Sequence, residues 1–246
     1  MAALKSQWFG DKHDYFKFDL WLELAEKVRG IGNLTYLPML TPSVSPYEKG
    51  NRRERLYDFL QSCRHPSVNL MREFLKREGI AYHPYRDDDD KGFQEGSWNA
   101  YFRAVPREWL CDAAILIDPD TGLETKGDYW KRHPEKHITY QNISDVISGC
   151  SGNFMVVIFQ FLQKAAGQRE LDLTERTEKL SKILGSAISV SWIAEKTSNG
   201  LGELAFIVIG AAKVGADDQE KLLKDYAQKH DLRVGSVKGA QEIPAP

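Results

Sequence analysis

Between residues 14 and 28 the chain places Tyr15, Phe18, Leu22 and Ala25 three and four positions apart, the spacing of one apolar face on an α-helix. Asp11 or Asp14 is placed to cap its start, and Gly30 with Gly32 to end it. Residues 34–40 then read as a buried strand interrupted by Pro38, and Pro42 and Pro46 mark the loop beyond it. Two helical stretches, about 51–62 and 67–78, lead to a short strand at 80–83. A short helix is expected around 98–109, followed by a strongly apolar strand at 111–117 that runs out at Asp118-Pro119. A helix at 141–149 precedes residues 154–161, a strand with too few polar positions for one face to meet water. After a helix over about 173–184, strands at 187–193 and 204–209 flank the glycine-rich turn at 198–202. A helix over 216–230 and a short extended tail complete the pattern.

Alternation of helix and doubly buried strand predicts an α/β fold. The expected architecture is a Rossmann-like, mostly parallel sheet with helices on both faces and a C-terminal antiparallel hairpin that adds one edge strand. With no internal repeat or long linker, residues 1–246 read as a single domain. Composition narrows the function classes. The 42% apolar and 28% charged content excludes disordered, collagenous and coiled-coil chains. Net charge is −2, so any nucleic-acid partner must be gripped locally rather than by a broad basic field. Cys63, Cys111 and Cys150 form no C-x-x-C pair, which excludes a disulfide scaffold or zinc ribbon and fits a reducing compartment. No signal-like start or bilayer-length apolar run is present, so the expected location is cytoplasmic, without a membrane partner. Nothing in the pattern fixes an oligomeric state.

Ligands of open α/β sheets bind outside the carboxyl ends of the strands, which singles out Asp118. Pro119 stops the strand and Gly122 permits a tight turn, while Asp120, Glu124 and Lys126 crowd the same loop. Three readings fit. The plainest is turn chemistry with a helix cap. A second is a Mg²⁺ site for phosphodiester or nucleotide hydrolysis, with Asp118, Asp120 and Glu124 as oxygen ligands. The third is amine-directed methyl transfer, in which a strand-end carboxylate and a neighbouring carbonyl orient a target amine. Elsewhere, Asp14 reads first as a helix cap, Lys17 as a lysine reaching out from the core edge or as a site residue, and residues 87–90 as a solvated acidic loop. Pro134 argues against His133 and His137 as a helical metal pair, and Cys150 has no obvious base beside it. Gln160 stands where it can line the cleft. Arg52, Arg53, Arg55 and Arg64 cluster on what reads as an exposed helix face or a phosphate dock.

Three segments together resemble a known family. Phe9-Gly-Asp-Lys-His-Asp-Tyr-Phe-Lys-Phe18 is similar to the N-terminal Ala-Gly-Asn-x-Ala-Asp-x-x-Lys-His stretch of the J-type 23S ribosomal RNA adenine-N6 methyltransferases, with Gly10, Asp14 and Lys17 matching. Leu116-Ile-Asp-Pro-Asp-Thr-Gly-Leu-Glu-Thr-Lys126 resembles that family's Leu-Ile-Asp-Pro-Pro-Tyr segment. Ser198-Asn-Gly-Leu-Gly-Glu-Leu-Ala-Phe-Ile-Val-Ile209 is similar to its late glycine turn and strand. The chain also resembles a group of uncharacterised bacterial proteins that carry Tyr-Phe-Gly-Asp-x-x-Asp-Tyr-x-Lys-Tyr and Asp-Pro-Asp-Asn-Gly motifs. The first resemblance implies a class I methyltransferase-like fold, S-adenosylmethionine as cofactor, and a nucleic-acid or nucleotide substrate. It implies Asp118 and Lys17 as catalytic positions, with Asp120 an extra carboxylate beside them and a further catalytic candidate, and Asp11, Lys17 and Thr41 as the cofactor contacts. Several positions depart from the pattern: Asp11 replaces its asparagine, Asp120 and Thr121 its second proline and tyrosine, and Phe18 its histidine. No Gly-x-Gly turn follows the first strand. A module that binds a nucleotide or protein without catalysis is the remaining alternative.

Overall fold

The computed structural model describes residues 12–39, 73–74, 76–77, 82–84, 98–125, 136–211 and 216–237. In chain order the elements are α1 (Lys12–Lys27), β1 (Asn33–Pro38), β2 (Tyr82–Pro84), α2 (Trp98–Arg103), β3 (Cys111–Asp118), β4 (Gly122–Leu123) and β5 (His137–Ile138). They continue as α3 (Tyr140–Gly149), β6 (Ser151–Phe161), α4 (Ala166–Leu184), β7 (Ile188–Thr197), β8 (Gly200–Ala211), α5 (Ala216–His230) and β9 (Leu232–Val237). Seven strands form one sheet in the order β2-β1-β3-β6-β8-β7-β9, and β4 with β5 makes a small parallel pair of its own. The expected helices at 51–62 and most of 67–78 lie outside the described residues, as do the Arg52–Arg64 cluster, residues 87–90 and His133.

The sheet is mixed, which corrects the mostly parallel expectation. β2, β1, β3 and β6 run parallel, whereas β6–β8, β8–β7 and β7–β9 pair antiparallel. Two features produce the difference. The hairpin turns through Ser198-Asn199, so that Thr197 faces Gly200, but β8 lies inside the sheet rather than at its edge. The edge belongs to β9, the segment expected to be an extended tail. Its Leu-Arg-Val-Gly-Ser-Val pattern is only half buried, as suits a strand with a single neighbour. Smaller corrections concern ends. β1 closes on Pro38 instead of being interrupted by it, and α4 begins at Ala166, before the expected 173. The expected helix at 98–109 is α2 followed by a separate 3₁₀ turn at Arg107–Trp109.

Side chains alternate across the sheet, so each strand feeds two cores. Leu34, Tyr36, Ala114, Leu116, Met155, Val157 and Phe159 meet α1 and α5 on one face. Ile115, Ile117, Val156, Ile158 and Ile207 meet α2, α3 and α4 on the other. Helix α1 is not the one-sided amphipathic helix that its spacing suggests: residues 14–22 are all buried, including Asp14, Lys17 and Asp19. A charged side chain remains in such a place only with partners, and these three have them. Beyond α1, Gly30 adopts φ +83°, the left-handed conformation that turns the chain into β1, as the sequence suggests.

Candidate functional site

From β1 the chain moves outward to β2, and from β3 it moves the opposite way to β6. The strand order therefore reverses between β1 and β3, and the carboxyl ends of two such strands are the usual ligand position in an open sheet. Asp118 is the last residue of β3. It pairs with Pro38, the last residue of β1, and its carbonyl accepts a hydrogen bond from the Met39 N–H at 3.0 Å.

The Asp118 side chain points to the α1 face, where Lys17 Nζ reaches Oδ2 at 2.6 Å. The same ammonium holds Asp14 Oδ1 at 2.6 Å. Asp14 is thus an ion-pair partner inside the first turn of α1 and not a residue capping it from outside. The phenol of Tyr36, on β1, donates to Asp118 Oδ2 at 2.7 Å. Both donors converge on one oxygen, and Oδ1 receives no hydrogen bond from any described residue. The Asp118 side chain keeps 16% of its surface exposed, against 6% for Lys17.

Burial of Lys17 alone would lower its affinity for a proton. The charges of Asp118 and Asp14, with the hydrogen bonds to both, more than reverse this and hold the ammonium above its ordinary 10.5. Lys17 is a permanent cation near neutral pH and cannot serve as a base. Phe159 and Phe18 add ring faces at 5.4 and 5.7 Å from Nζ. Counting Asp14, Lys17 and Asp118 together, the cluster carries one more negative than positive charge.

The other residues expected at this strand end are drawn elsewhere. Glu124 Oε1 accepts the Tyr140 N–H at 3.0 Å, so this carboxylate supports the start of α3 beside the Thr139 cap. Asp120 faces Lys136, with Oδ2 3.9 Å from Nζ. Among the described residues no three His, Cys, Asp or Glu side chains gather as a metal-binding set. Gln160 is buried and holds the loop instead of lining the cleft. Its Oε1 accepts the Leu123 N–H at 2.9 Å, and its Nε2 donates to the carbonyls of Thr121 and Phe161 at 3.3 and 2.9 Å. Gly122, at φ +118°, fits over that amide because a Cβ there would stand 2.6 Å from it. His137 lies in β5, and Asp11 and Thr41 fall outside the described residues. Cys150 donates to the Val146 carbonyl at 3.3 Å, and burial pushes its thiol up to about 12, so it is no nucleophile at neutral pH.

Tyr36 is the site residue that sequence reasoning missed. Its only local sign is a hydroxyl on an apolar strand, two positions before the strand ends.

No protein-family model matches the chain, and no curated protein matches it. Among solved structures it is similar to protein LPL1258 from Legionella pneumophila str. Philadelphia 1, described under the family model DUF519. The two share 12% identity and a TM-score of 0.40 over 95% of this chain and 98% of that one. No helix among the described residues is long and apolar enough to cross a membrane.

Proposed function

We propose that the carboxyl ends of β1 and β3 hold an amino group of a nucleic-acid base for methyl transfer, on a class I methyltransferase-like, Rossmann-like scaffold. One observation carries this reading: a carboxylate at the strand-order reversal, gripped on Oδ2 by Lys17 and Tyr36, with no donor to Oδ1 among the described residues. Such an oxygen accepts an N–H, and the Pro119 carbonyl beside it is the natural acceptor for a second. Two acceptors fix the amine's remaining lone pair in one direction, and orientation supplies much of the rate in a displacement that needs no strong base.

The donor set suits the implied cofactor, since two carboxylates around one ammonium leave a negative balance beside a cationic sulfonium. When bound, S-adenosylmethionine supplies an electrophilic methyl group. Lys17 would hold it, using the one N–H that Asp14 and Asp118 leave, together with Asp11 and Thr41. Asp118 would orient the amine.

Calorimetric titration with S-adenosylmethionine, followed by assay of labelled methyl transfer to RNA, DNA and nucleotides, tests the reading. Binding is expected, with transfer to a base nitrogen that falls about a hundredfold or more in Asp118→Asn. Absence of binding heat at millimolar ligand would overturn it.

A further inference from the structure

We infer that Tyr36 is a positioning residue that makes Asp118 a one-oxygen acceptor. The inference deepens the amine-orienting role proposed above and rests on it for its catalytic consequence alone. A carboxylate has two equivalent oxygens and turns freely about its last bond unless something distinguishes them. Here Lys17 and Tyr36 both bind Oδ2, at 2.6 and 2.7 Å. Lys17 approaches from α1 on a long flexible stem, whereas Tyr36 approaches from β1, the strand paired with β3.

The phenol is aimed by its ring, which packs edge-on to Phe18 at 5.5 Å and 70° and tilts against Trp21 at 6.5 Å. Tyr36 is only 2% exposed and has two side-chain torsions, so its hydroxyl occupies a fixed point. Lysine alone would hold the charge. Lysine and tyrosine on one oxygen hold the plane of the carboxylate, and Oδ1 then presents its lone pairs in a constant direction. A substrate amine meeting a fixed acceptor loses less freedom at the transition state than one meeting a swinging carboxylate.

Tyr36→Phe removes one oxygen and keeps the ring, with Lys17 still paired to Asp118. The first readout is independent of catalysis: carboxyl-carbon NMR of protein labelled at aspartate, with the Asp118 resonance assigned by its loss in Asp118→Asn. Tyr36→Phe is expected to shift that resonance, and an unmoved resonance overturns the inference.

The second readout is methyl transfer. Losing one hydrogen bond to a charged group lowers kcat by about ten- to a hundredfold, with S-adenosylmethionine affinity unchanged. In the Asp118→Asn background the same substitution adds less than about twofold, because groups acting as a unit are not additive. Equal losses in both backgrounds would make Tyr36 merely structural and overturn the inference. Should Tyr36→Phe fail to fold, fluorotyrosine at position 36 keeps the hydroxyl, strengthens it as a donor and is expected to shift the same resonance. A wild-type chain that methylates nothing while its Asp118 resonance responds to Tyr36→Phe supports the positioning and refutes the reaction.

Discussion

Helix α1 carries two buried acidic clusters that differ in one respect. Toward the carboxyl edge of the sheet, Lys17 joins Asp14 to Asp118, and Tyr36 donates to the same Asp118 oxygen. Toward α5, Tyr226 donates to Asp19 Oδ2 at 2.6 Å, with His230 Nε2 3.9 Å away and its ring 4.4 Å from that of Tyr226. Each cluster pairs a carboxylate with a phenol and a nitrogen-bearing side chain. Asp19, however, is 2% exposed and closed in, while the Asp118 side chain keeps 16% of its surface exposed at a strand-order reversal. The chemistry is similar and the access is not. A closed cluster fastens α1 to α5, and an open one presents an acceptor.

Substitutions can break this division. The largest effect belongs to Lys17→Met, which leaves two carboxylates buried without their shared cation. Removing one partner of a buried ion pair costs about 3–5 kcal/mol, to be read as lost unfolding free energy in urea. Next comes Asp118→Asn, which keeps the shape and relieves the surplus negative charge. Its stability is expected to stay within about 1 kcal/mol while methyl transfer falls about a hundredfold or more. Tyr226→Phe is the counterpart in the closed cluster. It takes the donor from a buried carboxylate and costs about 1–3 kcal/mol of stability, leaving S-adenosylmethionine binding and transfer unaltered. Loss of transfer in Tyr226→Phe would erase the distinction between the two clusters.

The smallest effect is one of pH. A lysine whose folded value lies above 10.5 contributes stability that is fully present below 10.5 and lost as pH rises through the folded value. Unfolding free energy should therefore show no step attributable to Lys17 between about pH 6 and 9, by comparison with Lys17→Met. The step should appear only in strongly alkaline solution.

Much of the frame was legible because it is local. The apolar run of β3, stopped by Pro119, marks Asp118 as a strand-end residue, and Gly30 marks the end of α1. What escaped depends on partners distant in sequence. Glu124 looks like a site carboxylate until Tyr140 is found against it, and nothing near Gln160 announces that its amide binds a loop some forty residues earlier. Lys17 and Asp19 resemble the wet side of an amphipathic helix, yet they are buried because their counterparts come from β3 and α5. Strand β9 escaped for another reason. A half-exposed edge strand has too few apolar positions to differ from a tail.

The ties of α1 also bear on how the molecule assembles. Its bond to Asp118 spans 101 residues of chain and its bond to Tyr226 spans 207. During synthesis the helix, carrying Phe16, Phe18, Leu20 and Trp21, is made before Asp118 and Tyr226, the partners of its Lys17 and Asp19. Contacts of such long range form slowly, and a nascent chain with an unsheltered aromatic helix is prone to stick to its neighbours. The contact of Lys17 with Asp118 is accordingly among the later ones to form, and a chain that lacks α5 would keep the sequence motif around Asp118 while losing one of the ties that hold α1.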